Sequence, residues 1–272
     1  MNTRSLSRRE WLRLTAVAAV SVNILPVFGQ EKPEEKQLAD VPFVCVNDLH
    51  FSNKSEAPFF RGMVEKMRAL EPKPKLLLVA GDLVDGGTTA QFDAIKEILA
   101  ESGMTLKICI GNHDWASATD KKAFENAFPD SLNYSFDMGG WQFVVLDTTN
   151  GVNNQANKAP LATFDWLNAN LGKLDKKKPM ILTTHYPIGP GVRNRSGSAA
   201  DILKRFNDYN LKAAFTAHYH ANTEVKYGDA MIYTGRCCSV KANNHDGSKE
   251  KGFVACVAGK DGTVKRQFTQ VQ

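Results

Sequence analysis

Six short, nearly unbroken apolar runs constrain this chain most. They are Phe43–Val46, Leu76–Ala80, Leu106–Ile110, Phe143–Leu146, Met180–Thr183 and Ala213–Thr216. Strands covered on both faces read this way, because no solvent-facing side demands an alternating polar residue. Helical patterns lie between the runs. Phe60, Met63, Met67 and Leu70 share one helical face, as do Phe92, Ile95, Ile98 and Leu99. Ala118–Phe128, Thr163–Leu171 and Ala199–Tyr209 are further expected helices. Tyr134–Phe136 and Trp141–Val145 flank Gly139 and Gly140, a hairpin signal. After His220 only strand patterns follow, over Thr223–Tyr227, Met231–Thr234, Phe253–Val257 and Thr263–Phe268. Alternating strands and helices imply an α/β fold, expected here as a four-layer sandwich of two packed mixed sheets flanked by helices.

Polar residues stand where these strands end. Phe43–Val46 runs into Asp48 and His50, and Leu76–Ala80 into Asp82 and Asp85. Leu106–Ile110 runs into Asn112, His113 and Asp114. The last two of the five such strands reach His185 and the pair His218 and His220. Ligands of α/β sheets bind beyond the carboxyl ends of the strands, so five strand ends would deliver Asp, Asn and His to one edge. Five of the six histidines fall in these segments; His245 lies in a polar loop where solvation is the default reading. Imidazole nitrogen and carboxylate oxygen together suit a borderline metal ion.

In order along the chain these segments resemble the calcineurin-like metallophosphoesterase family. That family's pattern is D-x-H, G-D-x-x-D, G-N-H-D, a later H, and G-H-x-H. The matching residues are Asp48 and His50; Gly81, Asp82 and Asp85; Gly111 to Asp114; His185; and His218 and His220 after Ala217. The resemblance implies two metal ions, Fe, Mn or Zn. Asp48, His50 and His220 would hold one; Asn112, His185 and His218 would hold the other, with Asp82 bridging. It also implies phosphoester hydrolysis by a hydroxide generated on the metals. His113 would serve as general acid toward the leaving oxygen, with Asp85 orienting it; a loop-capping carboxylate is the alternative for Asp85. Asp114 is expected to close its loop through backbone hydrogen bonds.

Departures from the family narrow the substrate. Gly86 stands where protein phosphatases of this superfamily carry a phosphate-clamping Arg, and Asp114 where they carry Glu. The chain also lacks the tyrosine pattern of purple acid phosphatases. What remains resembles the small phosphodiesterases that include the class III cyclic-nucleotide enzymes. A small phosphodiester is therefore the expected substrate, with a phosphomonoester as the alternative and a non-catalytic metal-binding protein as the rival class. Arg193, Arg195 and Arg236 are candidate phosphate grips, with solvated loop arginines the competing reading.

The N-terminus reads as an export segment. Arg8 and Arg9 precede a moderately apolar stretch from Leu14 to Phe28, so residues 1–29 resemble a twin-arginine signal. Residues 30–40 would be a linker and 41–272 one domain. The export machinery for folded proteins is then a partner, the periplasm the destination, and membrane contact limited to an uncleaved signal; a membrane-anchoring helix is the alternative reading. Much of the net charge of +5 belongs to this segment, with Arg4, Arg8, Arg9 and Arg13 against Glu10. The remainder is nearly balanced, which argues against nucleic acid as a partner. Five cysteines do not form a disulfide scaffold. Cys45, Cys109 and Cys256 sit in apolar runs, and adjacent Cys237 and Cys238 lack zinc-ligand spacing.

Overall fold

A computed structural model describes residues 38–153, 155 and 157–271. The expected export segment and most of the expected linker lie outside them. Eleven strands form two mixed sheets among these residues. The first contains β1 (Val41–Val46), β2 (Leu76–Val79), β3 (Thr105–Ile108), β10 (Gly252–Ala258) and β11 (Val264–Gln270), in the order β11-β10-β1-β2-β3. The second contains β4 (Tyr134–Met138), β5 (Trp141–Leu146), β6 (Met180–Thr184), β7 (Leu211–Thr216), β8 (Thr223–Tyr227) and β9 (Ala230–Thr234), in the order β4-β5-β6-β7-β9-β8. Strands β1, β2 and β3 are parallel, as are β5, β6, β7 and β9, while β4, β8, β10 and β11 pair antiparallel.

The continuous apolar runs follow from this layering. In β1, Phe43 and Cys45 point between the sheets, where Phe43 meets Phe143 and Phe215 edge-on. Val44 and Val46 point the other way, into a cluster with α1 (Ala57–Arg68) and α2 (Thr89–Ala100). The helical faces read from the sequence, Phe60, Met63 and Met67 with Phe92, Ile95 and Leu99, line that cluster. Val144, Leu146 and Leu182 pack outward against Leu167 of α4 (Leu161–Asn170) and Ile202 of α5 (Ala199–Arg205). Each such side chain contributes roughly 1.5–3 kcal/mol when fully buried. The result is the expected four-layer sandwich.

Several boundaries differ from expectation. The segment expected as a helix over 118–128 yields only α3 (Lys122–Ala127), because Ser117 and Asp120 form a small bridge whose backbone bonds also engage Ala116. The last helix stops at Arg205 rather than Tyr209, where a turn takes over before β7. Gly139 and Gly140 turn the β4–β5 hairpin with φ of 58° and 83°, the conformation a type I′ turn requires. No described helix is long and apolar enough to cross a membrane.

Candidate metal centre

Five parallel strands deliver their following residues to one edge, where nine of the residues singled out from the sequence meet. Two local features make this possible. Gly81 precedes Asp82 with φ of 96°, and a Cβ there would lie 2.4 Å from Nδ1 of His185. At Gly111 a Cβ would lie 2.1 Å from Oδ1 of Asp82. Side chains at either place would prise the strand ends apart. Asp48, His50, Asp82, His218 and His220 themselves adopt left-handed φ between 46° and 64°, a conformation that costs residues bearing a Cβ. The chain thus bends sharply at these five residues, and each side chain is buried at the centre.

Two donor sets share one carboxylate. In the first, His50 Nε2 stands 3.2 Å from His220 Nε2 and 3.6 Å from Asp82 Oδ2, and His220 Nε2 stands 3.3 Å from Asp48 Oδ1. In the second, His185 Nε2 lies 3.0 Å from Asn112 Oδ1 and 3.4 Å from Asp82 Oδ1, with His218 completing the group. Asp82 therefore turns one oxygen to each set. Donor atoms bound at about 2.0–2.2 Å to a tetrahedral ion are separated by about 3.3–3.6 Å, close to the spacing seen. Two imidazole nitrogens facing each other at 3.2 Å share at most one proton, so a common cation suits them better than each other. The donors present fit two metal ions.

The imidazole tautomers are fixed from behind. His185 Nδ1 donates to the Ala80 carbonyl at 3.0 Å, and His220 Nδ1 to the Asn243 carbonyl at 3.1 Å. A carbonyl only accepts, so in the neutral ring each Nε2 turns its lone pair to the centre, as a metal ligand requires. His50 Nδ1 is held by Asp85 Oδ1 at 3.2 Å. On the carboxylate side, Asn47 Nδ2 donates to Asp48 Oδ2 at 2.6 Å, and the His218 amide donates to both Asp48 oxygens.

Electrostatics follow from crowding. Burial would raise the Asp48 carboxyl, but His220 beside it holds it down at about 2. Burial likewise opposes ionisation of Asp82, yet His185 and His50 keep it well below the usual range. Burial works against protonated His185 and His220, and neighbouring Asp82 and Asp48 pull them up to about 9 and 11. His50 is also raised: burial opposes this, and Asp85 and Asp82 overcome it. Asp85 is lowered by its hydrogen bond with His50. The imidazoles thus serve as counter-cations to the buried carboxylates, a charge that metal ions would supply in their place.

Asp85 does more than the sequence suggests. Its Oδ1 lies 3.3 Å from His113 Nδ1 and also accepts from His50 Nδ1. The two rings meet edge-on at 4.6 Å. His113 is 34% exposed at its side chain, whereas His185 is 0% exposed. Asp114 closes its loop as expected, accepting from the Gly111 amide at 2.8 Å and the Val84 amide at 3.1 Å. Burial, aided by Asp82, pushes its carboxyl up to about 7.

The arginines fare differently. Arg236 Nε pairs with Asp246 at 2.8 Å and its Nη1 with Glu250, so this guanidinium is already engaged. Arg195 Nε donates to the Ile188 carbonyl at 2.9 Å, and Arg193 is exposed. None of the three guanidiniums pairs with a residue of the centre among the described residues. The sequence reading missed four other neighbours. Tyr186 packs on the His218 ring at 4.1 Å and donates to the Asn153 carbonyl. His245 is not simply a solvated loop residue: its amide donates to the His220 carbonyl and its ring stacks beside that of His220 at 5.7 Å. Asn47 and Cys237 also adjoin the centre. Tyr186 and Asn47 directly adjoin motif residues, which is the one signal that could have marked them.

A family model for calcineurin-like phosphoesterases matches residues 41–222. A 3′,5′-cyclic-nucleotide phosphodiesterase of Nostoc sp. is 28% identical over 56% of this chain and 55% of its own length. A protein named probable glycerophosphodiester phosphodiesterase, from Arcobacter nitrofigilis, is 23% identical over 70% of this chain and 76% of its own. The match thus spans little more than half of the first relative. Among solved structures, a purple acid phosphatase from yellow lupin superposes with a TM-score of 0.63 at 12% identity, over 88% of this chain and 53% of that one; this is a likeness of fold. With the family pattern matched over most of the described residues and its donors gathered at one edge, the chain belongs to the calcineurin-like phosphoesterase family.

Proposed function

We propose that this protein hydrolyses small phosphodiesters at a centre of two metal ions. One observation carries the reading: Asp82 presents one oxygen to each of two His-containing donor sets, while His113 stands beside them with its side chain partly exposed. Asp48, His50 and His220 would hold one ion, and Asn112, His185 and His218 the other. The mixed nitrogen and oxygen donors suit Fe, Mn or Zn. Bound ions would supply Lewis-acid activation of water and neutralise charge on the phosphoryl oxygens.

The chain's own residues handle the leaving group. Asp85 Oδ1 receives Nδ1–H of His113, which directs Nε2 away from Asp85 and leaves it to carry a proton to the departing alkoxide. The same carboxylate oxygen holds His50, so the proton donor and a ligand keep a fixed relation. The phosphodiesterase names of the relatives favour a diester over a monoester. Residues 1–29 would direct export of the folded protein to the periplasm, supported by Arg8 and Arg9 ahead of the apolar stretch. Replacing both with lysine should leave the protein in the cytoplasm.

The test compares a chromogenic diester with the matching monoester, using the mature protein with added Mn²⁺ beside its His113→Asn variant. Diester cleavage that is lost in the variant supports the proposal. Preference for the monoester would overturn the phosphodiesterase reading, and two bound ions without turnover on either ester would point to a binding protein.

A further inference from the structure

Cys237 differs from the other four cysteines. Cys45, Cys109 and Cys256 lie in the apolar layer between the sheets, and Cys238 Sγ rests 3.5 Å from Met63 Sδ. Cys237 Sγ instead lies in a polar niche, 2.9 Å from Lys251 Nζ, 3.2 Å from Asn244 Oδ1 and 3.5 Å from the Ala242 carbonyl, and against the His220 imidazole. Lys251 Nζ also donates to the Ala242 carbonyl. The two residues stand at the two feet of one loop. Cys237 lies just beyond β9 and Lys251 just before β10. The loop between them supplies the Asn243 carbonyl that fixes His220 Nδ1 and the His245 amide that donates to the His220 carbonyl. It is further clasped by the ion pair of Lys241 with buried Glu56 at 3.0 Å.

We propose that Cys237 and Lys251 form a peroxide-dependent crosslink that fastens this loop behind His220. The fully buried Cys237 sulfur faces the Lys251 nitrogen at 2.9 Å, so an oxidant small enough to arrive at the sulfur leaves it with an amine already beside it. The Cys237 thiol attacks hydrogen peroxide and the O–O bond breaks; the thiol proton leaves with the departing hydroxide as water, and a sulfenic acid remains, sulfur losing two electrons and peroxide gaining them. The Lys251 ammonium gives one proton to solvent water. The freed amine then attacks the sulfenic sulfur, an S–N bond forms, and the sulfenic oxygen leaves as a second water. Sulfenic acids condense in this way with a backbone nitrogen, and reversibly; here an amine is already 2.9 Å away. The crosslink itself does not depend on His220 being a ligand. Its consequence for the metal centre does, because the closed loop would hold His220 in place.

The test treats the metal-loaded full chain with hydrogen peroxide at a dose that oxidises half-buried Met138, then alkylates free thiols, digests and weighs the peptides. The expected product is a joined pair of Cys237 and Lys251 peptides, lighter by two hydrogens than the two apart. It should disappear on treatment with a dithiol and be absent from Lys251→Arg and from Cys237→Ser. Recovery of Cys237 as an alkylated thiol, or as sulfinic acid with Lys251 unmodified, would overturn the crosslink. Crosslinked protein should also lose metal to a chelator several-fold more slowly than its dithiol-treated counterpart; equal rates would overturn the link to the metal centre.

Discussion

The two ends of the metal centre are built differently. At one end Asp82 and His185 are at most 1% exposed, with the Ala80 carbonyl behind the ring and Tyr186 packed on neighbouring His218. At the other end Asp85 is 47% and His113 34% exposed at their side chains, and a single carboxylate oxygen serves two imidazoles. The closed end has one task, to hold donors in place, and burial with fixed tautomers does that. Under the proposed function the open end would admit a substrate and give up a proton, which a sealed imidazole could not do. Holding and acting are separated within one cluster, and Asp85 and Asp82 are the points where they touch.

That contrast can be broken most severely at Asp82. Asp82→Asn should empty both sets of ions and abolish hydrolysis, read by elemental analysis beside turnover; two retained ions with activity would show that the sets do not share this carboxylate. His113→Asn should lower turnover by about 10²–10⁴-fold while both ions stay bound, and loss of metal in this variant would erase the distinction between the ends. Asp85→Asn should cost less, about 10–100-fold, divided between weaker metal binding through His50 and slower turnover through His113. A purely kinetic effect would assign Asp85 to His113 alone. Tyr186→Phe should be mildest. It removes one hydrogen bond worth about 0.5–1.5 kcal/mol and leaves the ring on His218, so a thermal melt should shift by a few degrees while turnover stays close to that of the parent.

The layering was legible because burial on both faces erases polar alternation: the run around Phe43–Val46 says that neither face meets water. The donors were legible because each follows such a run. What could not be read is set by contacts between distant segments. Strands β8 and β9 were visible, but not that β9, the later strand, docks beside β7 with β8 outside. Arg236 was a fair candidate for phosphate until the loop after it folded back with Asp246 and Glu250. Neither partner is marked by any periodic pattern. The same loop hid His245 and Lys251, because irregular backbone carries no spacing rule. The second role of Asp85 was hidden for a different reason: a three-residue spacing from Asp82 does not say which of two rings a carboxylate will face.

The left-handed backbone at Asp48, His50, Asp82, His218 and His220 bears on how such a chain could change over generations. Each position carries a conformational burden of order 1–2 kcal/mol, borne only because the side chain has a job. Once the chemistry is no longer selected, glycine at any of them relieves the backbone while alanine does not. A descendant that kept the scaffold and shed the catalysis should therefore drift toward glycine or asparagine at these five sites, and its thermal tolerance should rise as its activity falls.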